Sequence, residues 1–203
     1  MKAFKILLSV SAVVIAMVYM FNADTTDISH EGSMETVSAT TSKIADASVG
    51  EMPSVGDVAP GFTLVSNEGT EVTLSDYQDK WVVLYFYPRD FTGGCTIQAK
   101  KFEMDMAEYE ERDTVILGVS TDSVESHEEF CTKEGLTFKL LADEDGAVAD
   151  MYGSLAQGRD RPTASRNTFL INPKGVVAQV FVKVNPTPHS KEVLATLDEL
   201  QAD

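Results

Sequence analysis

The spacing of hydrophobic positions along this chain changes several times, and each change marks a secondary-structure element. Residues 81–87 (Trp-Val-Val-Leu-Tyr-Phe-Tyr) are almost continuously apolar, the pattern of a strand buried on both faces, and residues 114–120 repeat it. Helical spacing appears over 96–112, where Ala99, Phe102, Met106 and Tyr109 follow Cys95 at +4, +7, +11 and +14 as one apolar stripe. A second helix is expected over 124–134, capped by Asp122 or Ser123 with Glu125 nearby. A short strand over 138–141, a short helix over 146–152 and a closing helix over 190–200 follow. Two hairpin signals frame these elements. Asn67-Glu68-Gly69 separates 61–65 from 71–74, and Asn172-Pro173-Lys174-Gly175 separates 168–171 from 176–182. Strands alternating with helices predict a mixed sheet covered on both faces, a three-layer α/β sandwich.

The amino terminus follows a different pattern. Lys2 and Lys5 precede an apolar run over residues 6–21, broken only by Ser9 and Ser11, which is the layout of an export signal. The run is slightly short of the roughly 20 residues a spanning helix prefers. Cleavage after Ala23 would put the bulky Phe21 at the −3 position, and cleavage after Ala16 would leave apolar residues 17–21 behind. Residues 1–21 therefore read as a signal peptide or N-terminal membrane anchor, with the uncleaved anchor favoured. The lysines before the run place the bulk of the chain outside the cytoplasm. Residues 22–55 turn to Ser, Thr, Ala and acidic residues without a period and read as a flexible linker. Residues 56–203 form the folded domain.

Charge narrows the function classes. With 32 acidic against 16 basic residues and a formal charge of −16, the surface repels phosphate backbones, so nucleic-acid binding is not expected. His30, His127 and His189 are scattered singly, so no metal site is expected, and no organic cofactor is implied.

The informative stretch is Tyr87-Pro88-Arg89-Asp90-Phe91-Thr92-Gly93-Gly94-Cys95-Thr96. It falls where a buried strand ends and a helix begins, the region where open α/β sheets bind ligands. The unpaired N–H groups and positive dipole end of a helix start favour a thiolate. The preceding glycines let the backbone approach a small ligand closely. The competing reading is a buried cysteine that only fills space, and helix-start position, glycines and hydroxyls argue against it.

Pro88, Thr92 and Cys95 stand at the intervals of the peroxiredoxin signature. The whole stretch resembles the Q-type group of that family, also called bacterioferritin comigratory proteins. The likeness continues through Val55-Gly56-Asp57-Val58-Ala59-Pro60-Gly61-Phe62, Ser123-Val124-Glu125-Ser126-His127 and Arg166-Asn167-Thr168-Phe169-Leu170-Ile171-Asn172-Pro173-Lys174-Gly175. The resemblance implies a thioredoxin-like fold and a monomeric thiol-dependent peroxidase acting on hydrogen peroxide and alkyl hydroperoxides, recycled by a thioredoxin-like dithiol protein. It implies that Cys95 is the peroxidatic cysteine, that Thr92 holds the sulfur and peroxide through its hydroxyl, and that Pro88 shields the pocket. Arg166 matches the family arginine that lies against the sulfur, where a cation stabilises the thiolate and the charge developing on oxygen. Arg161 is the neighbouring alternative.

Three departures from the family pattern matter. Gly93 stands where proline commonly follows the threonine, and Gln98 replaces a frequent glutamate. Lys100 occupies the position where many members carry a resolving cysteine. The second thiol, Cys131, lies on the helix over 124–134, where a subset of the group carries its resolving cysteine. Val124, His127, Phe130 and Cys131 also make one helical stripe, so plain core filling is the alternative. If Cys131 resolves Cys95, the two helices must part locally, because a disulfide requires Cα atoms within about 7 Å. A thioredoxin-type exchanger would need Cys-x-x-Cys, and Cys95 is followed by Thr96-Ile97-Gln98. A thioredoxin-like copper carrier would need two nearby thiols and a histidine as soft ligands.

Overall fold

The computed structural model describes residues 50–202. The expected anchor at 1–21 and most of the expected linker lie outside the described residues. The last part of that linker does not stand away from the domain: Pro53 is buried and Met52 packs against the core.

Seven strands form one mixed sheet in the order β2-β1-β5-β4-β3-β6-β7. They are β1 (Thr63–Ser66), β2 (Glu71–Thr73), β3 (Trp81–Phe86), β4 (Thr114–Ser120), β5 (Lys139–Ala142), β6 (Thr168–Ile171) and β7 (Val177–Phe181). The central strands β3, β4 and β5 run parallel, with Leu84 beside Leu117 and Val119 beside Leu141. Parallel neighbours need long crossovers, and helices supply both of them. The outer pairs, β1–β2, β1–β5, β3–β6 and β6–β7, are antiparallel.

Strand β3 shows why its sequence is apolar throughout. Side chains alternate across a sheet, so Val82, Leu84 and Phe86 enter one core while Val83, Tyr85 and Tyr87 enter the other. The first core also holds Phe62, Leu74, Tyr152 and Phe169, under the short helix α4 (Ala147–Met151). The second lies under α1 (Gly93–Met104), α2 (Met106–Glu110), α3 (Val124–Glu134) and α5 (His189–Gln201). Both cysteines belong to this second layer.

The expected helix over 96–112 is two helices, and it begins earlier than its stripe suggests. Asp105 interrupts it at φ −100°, ψ 8°, with its carboxylate accepting from the Ser190 hydroxyl of α5 at 2.7 Å. The apolar stripe runs across the break, since Ala99, Phe102 and Tyr109 are all buried. Helix α3 has the expected bounds, and its cap is Ser123, whose hydroxyl accepts from the Ser126 N–H at 3.3 Å.

Candidate active site

Strand β3 delivers the chain to Tyr87 in the layer beneath the helices, and Pro88 then ends the strand by removing a backbone donor. Thr92 takes the extended conformation of an N-cap (φ −88°, ψ 146°), and α1 starts at Gly93. Cys95 is therefore the third helical residue. Its side chain is buried at 2% exposure, while the N–H groups of residues 93–95 have no acceptor within the helix.

Arg166 reaches this point from the segment just before β6. One amino group (Nη2) donates to the Cys95 sulfur at 3.2 Å, and the other (Nη1) donates to Gln98 Oε1 at 2.6 Å. Gln98 is fully buried one turn along α1, so the guanidinium is braced by the same helix that carries the thiol. Gln98 is an uncharged partner, so its contact leaves the guanidinium's positive charge available to the sulfur. The field of Arg166 also reaches His189, whose pKa falls to about 4, mainly through burial and then through that cation. Gly94 makes the approach possible: a Cβ there would stand 3.2 Å from Nη2 and 3.8 Å from Pro186.

The other expected residues fall into place unevenly. Pro88 is half-buried at the strand end. Thr92 is exposed beside Cys95, and its hydroxyl donates to the Arg89 carbonyl at 3.0 Å, which leaves its oxygen free to accept from an incoming ligand. Arg161 is exposed in the 156–163 loop and forms no part of the site. Cys131 is buried on α3 and both thiols are free. Burial pushes the Cys131 thiol up to about 12, with the charges of Asp90, Glu103 and Glu68 adding to the effect.

Sequence reasoning missed the buried polar cluster beside the loop. Tyr87 donates its phenol to Asp90 Oδ1 at 2.8 Å, and Asp90 Oδ2 lies 2.9 Å from His127 Nδ1. It also missed Tyr85, whose hydroxyl is buried without a partner among the described residues, over the bare backbone of Gly118. Its ionisation is pushed far up by burial first, and next by the Cys131 and Cys95 sulfurs.

A buried thiol at a helix start, a guanidinium on its sulfur and an exposed hydroxyl beside it suit nucleophilic attack on a small, polarisable oxygen compound. Comparison with known proteins decides the matter. Residues 55–180 match the AhpC/TSA family model. The chain belongs to the AhpC/TSA family. Within it, this peroxiredoxin is 39% identical over 150 residues to peroxiredoxin Bcp of Bacillus subtilis, covering 72% of this chain and 96% of that one. Peroxiredoxin Bcp of Xanthomonas campestris pv. campestris is 40% identical over 138 residues, covering 64% and 83%. Among solved structures, a cysteine-to-serine variant of Xylella fastidiosa PrxQ superposes with a TM-score of 0.70 at 33% identity, covering 76% of this chain and all of that one. The peroxiredoxin is thus a thioredoxin-like α/β protein and a thiol-dependent peroxidase. For X. campestris peroxiredoxin Q, two single cysteine-to-serine variants have been solved, and the two positions are 36 residues apart. Another structure concerns the alkyl peroxide reduction activity of the X. campestris bacterioferritin comigratory protein.

Proposed function

We propose that this peroxiredoxin reduces hydrogen peroxide and alkyl hydroperoxides through Cys95, and that Cys131 completes the cycle as the resolving thiol. The observation that carries the first half is the Arg166–Cys95 contact at 3.2 Å on a helix start. The Cys95 thiolate attacks one peroxide oxygen, the oxygen–oxygen bond breaks, and the alkoxide or hydroxide leaves with a proton from solvent. Thr92 receives the peroxide at the mouth of the site, and Pro88 keeps bulk water off it. Cys95 is left as a sulfenic acid. The Cys131 sulfur then attacks the Cys95 sulfur, the hydroxyl leaves as water, and a disulfide forms. A thioredoxin-like dithiol protein reduces it by exchange.

Two observations support the second half. Cys131 stands 36 residues after Cys95, the interval between the two cysteines replaced in X. campestris peroxiredoxin Q. Both thiols also lie in one apolar layer beneath the sheet. Mass spectrometry after one equivalent of hydrogen peroxide tests the assignment. A linked Cys95–Cys131 peptide is expected, and a lone sulfenic or sulfinic Cys95 with Cys131 still a thiol overturns it.

The domain acts outside the cytoplasm, as a monomer held or exported by the apolar run over 6–21. Lys2, Lys5 and the run itself support that placement. Cell fractionation tests it: the full chain should resist release from membranes by alkaline washing or appear outside the cytoplasm, and a chain lacking 1–21 should do neither.

A further inference from the structure

Two adjacent residues of the Cys95 loop are fastened to α3, the helix that carries Cys131. Asp90 is buried, and its Oδ2 accepts from the Ser126 hydroxyl at 2.7 Å and lies 2.9 Å from His127 Nδ1. Its own N–H donates to Asp122 Oδ2 at 2.8 Å, just before the helix begins. His127 is held from the far side as well, with Nε2 3.2 Å from the Leu141 carbonyl of β5. The next residue, Phe91, packs edge-on against Phe130 at 5.1 Å between ring centroids, with the Lys133 ammonium 5.2 Å from the Phe91 ring. Ser126, Phe130 and Lys133 recur on one face of α3, and His127, one turn before Cys131, lies between that face and the thiol.

Phe91 holds this contact in a left-handed conformation, φ +57°, which a side chain of its size rarely adopts. Such strain persists only where the surroundings over-determine it, and here the surroundings are α3. Asp90 is buried in this contact and Phe91 covers it from a 44% exposed position; while both stay in place Cys131 remains buried and protonated, and a buried thiol is a poor nucleophile.

We propose that Asp90 and Phe91 are positioning residues for resolution: together they latch α3 to the Cys95 loop, and release of the latch sets how fast Cys131 reaches the oxidised Cys95. This rests on the reading that Cys131 is the resolving thiol. The sulfenic acid formed on Cys95 has two fates. Attack by the Cys131 sulfur gives the disulfide and water. Attack by the sulfenate on a second peroxide gives the sulfinic acid and one more alcohol or water. A tighter latch lengthens the life of the sulfenic acid and favours the second fate.

The test uses mild variants that keep the buried Asp90. Ser126→Ala removes one hydrogen bond of the latch, Phe91→Ala removes the ring while keeping the strained backbone, and Ser126→Thr retains the hydroxyl. Rapid quenching followed by mass spectrometry counts sulfenic, sulfinic and disulfide forms after one equivalent of hydrogen peroxide. Disulfide formation should accelerate about 3- to 10-fold in Ser126→Ala and Phe91→Ala, the shift expected from losing roughly one hydrogen bond or one ring contact. Oxidation of Cys95 should stay within about twofold, and Ser126→Thr should behave as wild type. Amide exchange over 124–134 in the reduced protein should rise in the same two variants while the central strands stay protected. An unchanged disulfide rate, or equal slowing of both steps, overturns the latch while leaving Cys131 as the resolving thiol. A wild type that never forms the disulfide overturns the resolving role itself, and the latch with it.

Discussion

Cys95 and Cys131 lie in the same apolar layer under the same sheet, and both are nearly inaccessible. Their chemistry differs because of what faces each sulfur. Cys95 has a guanidinium at 3.2 Å and a helix start around it. Cys131 sits in the last turn of α3, and the charges that reach it belong to Asp90, Glu103 and Glu68. Burial and those carboxylates disfavour an ion at Cys131, whereas a cation faces the Cys95 sulfur. A thiol's role is written in its neighbours rather than in its exposure.

Removing the sulfur that faces the cation gives the largest effect. Cys95→Ser should lower peroxide consumption roughly 10⁴-fold or more in a coupled peroxidase assay. Cys131→Ser should leave the first oxidation step nearly intact in stopped-flow measurements and abolish the steady state.

The next effect comes from Arg166. Arg166→Ala should cost about 10²- to 10³-fold in kcat/KM for peroxide, the range for losing one preorganised donor at a developing charge. Arg166→Lys should recover only part of it, because an ammonium cannot hold Gln98 and the sulfur together as the planar fork does.

Stability against pH reads the other cysteine. The Cys131 thiol is raised to about 12 in the folded protein, against an ordinary value of roughly 8.5 when unfolded. The unfolded chain therefore loses this proton first, so the stability it supports is complete below about pH 8.5 and declines as pH rises towards 12. The slope is at most about 1.4 kcal/mol per pH unit. Urea midpoints at pH 7 and 10 should fall more for wild type than for Cys131→Ala. The smallest effect belongs to Lys100, which bridges to Glu134 at 3.0 Å from a half-exposed position. Lys100→Ala should cost less than about 1 kcal/mol in the same titration.

Much of this contrast was legible in the sequence. The continuous apolar runs at 81–87 and 114–120 identify central strands, because burial on both faces leaves no polar positions to confuse with another period. The Pro88, Thr92, Cys95 and Arg166 set carries the reactive side through local spacing and one late motif. The break at Asp105 was hidden, because the apolar stripe keeps its phase across it. The Asp90–His127 contact was hidden for another reason. Its partners stand 37 positions apart, and a polar residue that tertiary packing buries looks in sequence like a surface one. Gln98 reads in sequence only as a replaced glutamate, while the fold uses its carbonyl oxygen to brace Arg166.

The asymmetry between the two thiols is tested most directly by trapping sulfenic acid with dimedone after one equivalent of hydrogen peroxide in the two single variants. Cys131→Ser should consume the peroxide and carry the label on Cys95. Cys95→Ser should leave the peroxide unconsumed and Cys131 a thiol. Oxidation of Cys131 in the Cys95→Ser protein at a rate near that of wild type would contradict the account.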